Sequence, residues 1–216
     1  MPFDPSFGWV VVLLVLWILR RPLIALVAGA AIGKQVLAQQ PDTIHLVPAP
    51  GPDPRHAATV DTHATTLLAG GFADAGAFTV PEMPELWLRL LAHESEGWLA
   101  TVYVHRRAGC WLEVNARFPD DTRIAFINHP GTGIASLPGQ TIRHMGGASA
   151  GQVLRTARAS LAKQEMPALP IEARQAPRVF EEGYARLAAL RKQQGISTAE
   201  VVAVSLRKPI ANKPAA

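Results

Sequence analysis

Cysteine is nearly absent. Cys110 is the only one in 216 residues, so an intrachain disulfide and a cysteine-built zinc site are both excluded. Cys110 lies between apolar neighbours in a strand-like stretch and is expected to act as a small hydrophobe, not a reactive thiol. The C-terminal third lacks the partners that a serine nucleophile needs: no histidine follows His144 and no aspartate follows Asp121. The string "GASAG", Gly147 to Gly151, fits G-x-S-x-G between a predicted strand and a predicted helix, the setting of a nucleophile elbow. Hydrolases of that design place the acid and the histidine after the serine, so Ser149 reads better as a helix N-cap.

Metal and nucleotide signatures are missing as well. The seven histidines, His45, His56, His63, His93, His105, His129 and His144, form no H-x-x-x-H pair and no recognised ligand spacing. "HPGTG" at 129–133 lacks the frame and the Lys-Ser/Thr of a phosphate loop, and no cofactor is expected. The net charge of +4 divides into +2 over residues 1–40, −4 over 41–148 and +6 over 149–216. The basic side chains of the last third are scattered on predicted helices without interleaved aromatics, which points to a solvated face and away from nucleic acid.

What is present begins with an apolar run from Gly8 to Gly33, interrupted by Arg20, Arg21 and Pro22. As a helix those 26 residues would extend about 39 Å, more than a hydrocarbon core of ~30 Å. Centring them in a bilayer would bury both arginines at about 2.5–3.5 kcal/mol each. A span from about Phe3 to Leu19 avoids that cost. It puts the arginines at an interface, where they snorkel, with Trp9 and Trp17 near opposite interfaces and residues 22–33 as a second, juxtamembrane helix. One long tilted helix is the competing geometry. A removable leader is disfavoured, because residues 1–7 carry no Lys or Arg. With Arg20, Arg21 and Lys34 after the span and no basic residue before it, the C-terminal domain of a single-pass membrane protein is expected on the cytoplasmic side, the periplasm being the alternative.

The chain therefore divides into a membrane anchor with its juxtamembrane helix (1–38), a proline-rich linker (39–54), an α+β domain (55–206) and a disordered basic tail (207–216). Asp53-Pro54 opens an amphipathic helix that ends at Gly70-Gly71. Strands are predicted near 77–80, 86–93, 98–105, 110–118, 122–129 and 140–145, joined mostly by hairpin-sized links such as "HESEG" and "RRAG". Ser149 with Gln152 matches a capping box. A helix over 177–194 carries the stripe Phe180, Gly183, Tyr184, Leu187 and Leu190; Gly195 closes it, and Ser197 with Glu200 caps a last short helix. The expected fold is an antiparallel β-meander with helices packed on its one apolar face.

Opposite that face, a coherent polar and aromatic surface is expected. Arg89, His93, Thr101, Tyr103, His105, Trp111, Glu113, Asn115 and Arg117 are read as projecting together, a mixture typical of recognition surfaces. Of these, Arg89, His93, Tyr103, His105, Trp111, Glu113 and Arg117 are the candidate binding residues. The run "GFADAGAFTVPEMPELWLRLLAHESEGWLATVYVHRRAGCWLEV", residues 71–114, resembles a group of uncharacterised bacterial membrane-anchored proteins with no assigned function, through the pattern G-F-x-D-A-G-x-F-T-V-P-E-M-P. The resemblance implies an anchor followed by a small mixed domain; it implies no activity and lends no site residue. With no complete catalytic set, the expected function is a membrane-tethered, non-enzymatic binding or scaffold module, with the lipid bilayer and a protein partner or small ligand as its partners. A membrane-bound hydrolase using Ser149 or a histidine cluster is the alternative.

Overall fold

The computed structural model describes residues 35, 37–131, 135–197 and 199–200. The apolar run of 8–33 and the basic tail from 207 lie outside the described residues, and with them the expectations placed there. Among the described residues no helix is long and apolar enough to cross a membrane. The described residues separate into two compact units, the smaller drawing on 35, 37–40, 135, 191–197 and 199–200, the larger on 41–131 and 136–190. In the smaller unit the expected cap at Ser197 is present: Glu200 N donates to Ser197 Oγ at 3.2 Å and Ser197 N to Glu200 Oε2 at 2.8 Å.

The larger unit is an α+β fold on one seven-stranded sheet. In chain order its elements are β1 (Val47–Pro48), α1 (Pro54–Ala69), β2 (Ala73–Thr79), β3 (Leu86–His93), β4 (Trp98–His105), β5 (Gly109–Arg117), β6 (Arg123–Ile127), β7 (Gln140–His144), α2 (Ala150–Leu161), a 3₁₀ turn (Ala173–Gln175) and α3 (Ala176–Gln194), which runs on into the smaller unit. The strands lie in sequence order, antiparallel up to β6. β7 departs from the meander and pairs parallel to β6, which the connection 128–139 is long enough to permit.

Local chemistry accounts for the boundaries. Asp53 accepts from Arg55 N at 3.0 Å ahead of Pro54 and so starts α1. At α2, Gln152 N donates to Ser149 Oγ at 3.3 Å, and Ser149 N donates to the Gln152 side chain at 2.8 Å, a reciprocal cap of about 1 kcal/mol. β2 begins four residues earlier than the alternation suggests, because Gly76 (φ +108) sits at a bulge that shifts its register against β3.

Both sheet faces are apolar, contrary to the expected one. Trp87, Leu91, Val102, Val104, Leu112, Val114 and Phe126 pack under α1 and α2 through Val60, Leu67, Val153 and Leu154. Leu88, Leu90, Ala92 and Leu99 form a second cluster on the opposite face with Ile44, Ile171 and Ala176, and α3 adds Val179, Phe180 and Tyr184. The helices are thus divided between the faces. β3 and β4 read "LWLRLLAH" and "WLATVYVH", apolar at both parities, and each buried side chain of this kind is worth about 1.5–3 kcal/mol, so both faces demand cover.

Residues 41–50 are extended, as their prolines dictate, yet they are bound down along the domain. Ile44 is 3% exposed, Trp87 Nε1 donates to Pro50 O at 2.9 Å, and Val47–Pro48 adds to the edge of β2. Leu46 N donates to Glu181 Oε1 at 2.6 Å and Tyr184 Oη to Pro41 O at 3.2 Å, which ties this strap to α3.

Candidate functional site

The expected surface divides in two. Facing residues in an antiparallel pair project to the same side, and the β3–β4 register sets Leu88 opposite Tyr103, Leu90 opposite Thr101 and Arg89 opposite Val102. Arg89 and His93 therefore lie on the α1/α2 face. Arg89 forms an ion pair with Asp74 at 2.6 Å, and its guanidinium holds that carboxyl below the usual carboxylate range. His93 is buried, edge-on to Phe72 at 5.0 Å and beside Trp98. Neither belongs with the other five.

Tyr103, His105, Trp111, Glu113 and Arg117 do share a face, the one that also carries Leu88 and Leu90. His105 closes the β4–β5 hairpin, its Nδ1 accepting from Arg107 N and Ala108 N at 3.1 and 3.2 Å. Trp111 stacks on Tyr103 at 5.0 Å and reaches His129 at 5.7 Å. Burial and the neighbouring His144 lower the pKa of His129 from its ordinary value. Cys110, half-buried on the opposite parity of β5, has its thiol pushed up to about 11 by burial, in keeping with an inert hydrophobe.

The face is not open. α3 lies over it, with Phe180 6.3 Å from the Tyr103 ring, and between them is a cleft of about 330 Å³. β4, β5 and β6 supply the floor: Leu99, Tyr103, Glu113, Asn115, Arg117 and Arg123. Val179, Phe180, Gly183, Tyr184, Leu187 and Leu190 form the roof, and residues 169–171 form one wall. The roof is the helical stripe already evident in the sequence.

The floor is a charged network. Glu113, 9% exposed, receives Arg123 Nη2 and Asn115 Nδ2 on Oε1, the latter at 2.8 Å. Asp121 Oδ1 accepts from Arg117 Nη2 at 3.2 Å and Arg186 Nη1 at 2.6 Å, linking floor to roof. Asp121 adopts a left-handed backbone (φ +64) in the β5–β6 turn, a conformation that aspartate tolerates better than most side chains. The Tyr103 phenol is held far above its ordinary pKa by burial first and the Glu113 carboxylate second, so it stays a neutral donor and acceptor.

Asn115 was read onto this face; Asp121, Arg123, Gly183 and Arg186 were not foreseen. Arg123 had a signal available: it opens the strand after "PDD", and a tight antiparallel turn sets it across from Arg117, as observed. The other three depend on which face α3 covers. Ser149 makes no hydrogen bond to a histidine among the described residues, and there no group of three or more His, Cys, Asp or Glu side chains could hold a metal ion. No family model, no curated protein and no solved structure matches the chain.

Proposed function

We propose that the chain is a membrane-tethered, non-enzymatic binding module whose α+β domain takes up a small ligand in the cleft between β4–β6 and α3. The observation that carries this reading is the cleft itself, with a hydrogen-bonded ionic floor and an apolar roof, and with volume at the lower end of the range typical of ligand pockets. The roof favours a small ligand over a protein, since α3 already covers the aromatic residues that a protein partner would grip. Attachment to a bacterial inner membrane is supported by the apolar run 8–33, and a cytoplasmic domain by Arg20, Arg21 and Lys34.

Gly183 provides the test. It stands mid-helix in α3, lines the cleft, and a Cβ added there would meet nothing within 4 Å. Gly183→Leu places a side chain in the cavity and relieves a helix-interior glycine, which costs about 0.5–1 kcal/mol. The variant should unfold a few degrees higher than the parent. A panel of small organic acids, amines and neutral compounds is screened against the full chain in nanodiscs by saturation-transfer NMR. Binders are expected, and they should be lost in Gly183→Leu. Binding that survives the substitution, or a panel with no binder, refutes the proposal.

A further inference from the structure

We infer that the ligand of this cleft is an amphipathic monocarboxylate with an apolar body; the inference rests on the cleft being the binding site. The charge arrangement comes first. Arg117 and Arg123 stand directly opposite one another on β5 and β6, a like-charged cross-strand pair that a sheet ordinarily disfavours. Arg186 adds a third guanidinium from the roof, against only two lining carboxylates, Glu113 and Asp121. Glu113 is engaged by Arg123, and a single oxygen of Asp121 serves both Arg117 and Arg186. The lining therefore carries one positive charge in excess. Arg117 Nε, moreover, is buried with no hydrogen-bond partner among the described residues. A buried donor without a partner is costly, and an ionised oxygen acid, carboxylate or phosphate, is the acceptor a guanidinium pairs with most strongly.

The charge count selects a monoanion: one carboxylate neutralises the lining, whereas a dianionic phosphate would leave it negative. The apolar body follows from the side chains of Leu99, Ile171, Val179, Phe180 and Leu187 in the remaining lining. A cleft of about 330 Å³ has room for about ten water-sized groups, enough for a short chain or one aromatic ring with its acid.

A matched series separates head group from body: 3-phenylpropionate, 3-phenylpropan-1-ol, 3-phenylpropylamine and 2-phenylethyl phosphate, each titrated into the full chain in nanodiscs by NMR. The acid should bind about tenfold or more tightly than the alcohol, the worth of one charge-assisted hydrogen bond. It should lose that advantage in Arg117→Gln while the alcohol is unaffected, and all binding should disappear in Gly183→Leu. Equal affinity for acid and alcohol, both lost in Gly183→Leu, overturns the carboxylate assignment and leaves the cleft as the site. Preference for the amine or the phosphate overturns it in the same way. If no member of the series binds in a manner that Gly183→Leu removes, the cleft reading falls with it.

Discussion

Replacing Arg123 with methionine tests whether charge pairing holds the cleft floor together. The substitution keeps the length of the side chain and removes its guanidinium, leaving the Glu113 carboxylate with Asn115 Nδ2 at 2.8 Å as its one hydrogen-bond donor among the described residues. The side chains of Glu113 and Arg123 are 9% and 20% exposed. Breaking a fully buried pair from one side costs about 3–5 kcal/mol, mostly because a charge is left uncompensated in a poor solvent. This pair borders a cleft that admits water, so about 2–3 kcal/mol is expected, or roughly 5–10 °C in melting temperature for a chain of this size. The double variant Glu113→Leu/Arg123→Met removes both charges and should lie within about 1 kcal/mol of the parent, since an apolar pair of similar volume often replaces a buried ion pair without loss. Guanidinium unfolding of the full chain, read as a double-mutant cycle, measures the coupling. If the two single substitutions simply add, Glu113 and Arg123 do not support each other and the description of the floor is incorrect.

Two further substitutions probe the frame of the domain, one on each side of the sheet. His63 is 8% exposed on α1, its Nδ1 has no partner among the described residues, and burial lowers its pKa from 6.5. Well above pH 6.5 it is neutral folded or unfolded and contributes no slope. Below that the unfolded chain takes up the proton first, so stability should fall as the pH drops toward the depressed folded pKa. Unfolding midpoints between pH 7.5 and 5 should show this decline, and His63→Leu should flatten it except for the part due to His129, which shifts the same way; an unchanged slope counts against a buried neutral His63. Gly97 closes the β3–β4 hairpin at φ +68, where an added Cβ would lie 2.4 Å from Leu169 O in the cleft wall. Gly97→Ala should cost about 2–4 kcal/mol through left-handed strain and backbone displacement, and a loss below about 1 kcal/mol by denaturant titration would show that the wall yields freely.

Much of this architecture was legible because single residues announce it. Asp53-Pro54 and Ser149 with Gln152 place two helix starts, and the strands read at 86–93 and 98–105 are those found. The division of the candidate face was also within reach. A hairpin that closes His93 against Trp98 fixes parity, so Arg89 must fall opposite Val102 and away from Tyr103. Grouping residues by their chemistry concealed that arithmetic, and β3, apolar at both parities, offered no alternation to correct it. The position of α3 was not legible. Its stripe calls for an apolar partner, and the sheet offers two such faces with no local signal to choose between them. The parallel β6–β7 pair was hidden for a related reason, since a connection as long as 128–139 suits either direction of return.

The strap shows how far composition can mislead about attachment. Proline-rich stretches read as tethers because proline donates no hydrogen bond, but three of the N–H groups that remain in 41–50 are all engaged: His45 with Glu82, Leu46 with Glu181 and Ala49 with Ala77. Two of these partners lie in the β2–β3 turn and on α3, far along the chain, so the strap gains its bonds only once both are in place. The dependence runs the other way as well. α3 shields the Tyr103 ring with Phe180, and one turn on from Phe180 its Tyr184 hydroxyl is spent on Pro41 O. The roof of the cleft and the segment leading from the N-terminal run are thus held by the same few bonds. A change that loosens residues 41–46 withdraws support from α3 without touching a single residue of the cleft floor.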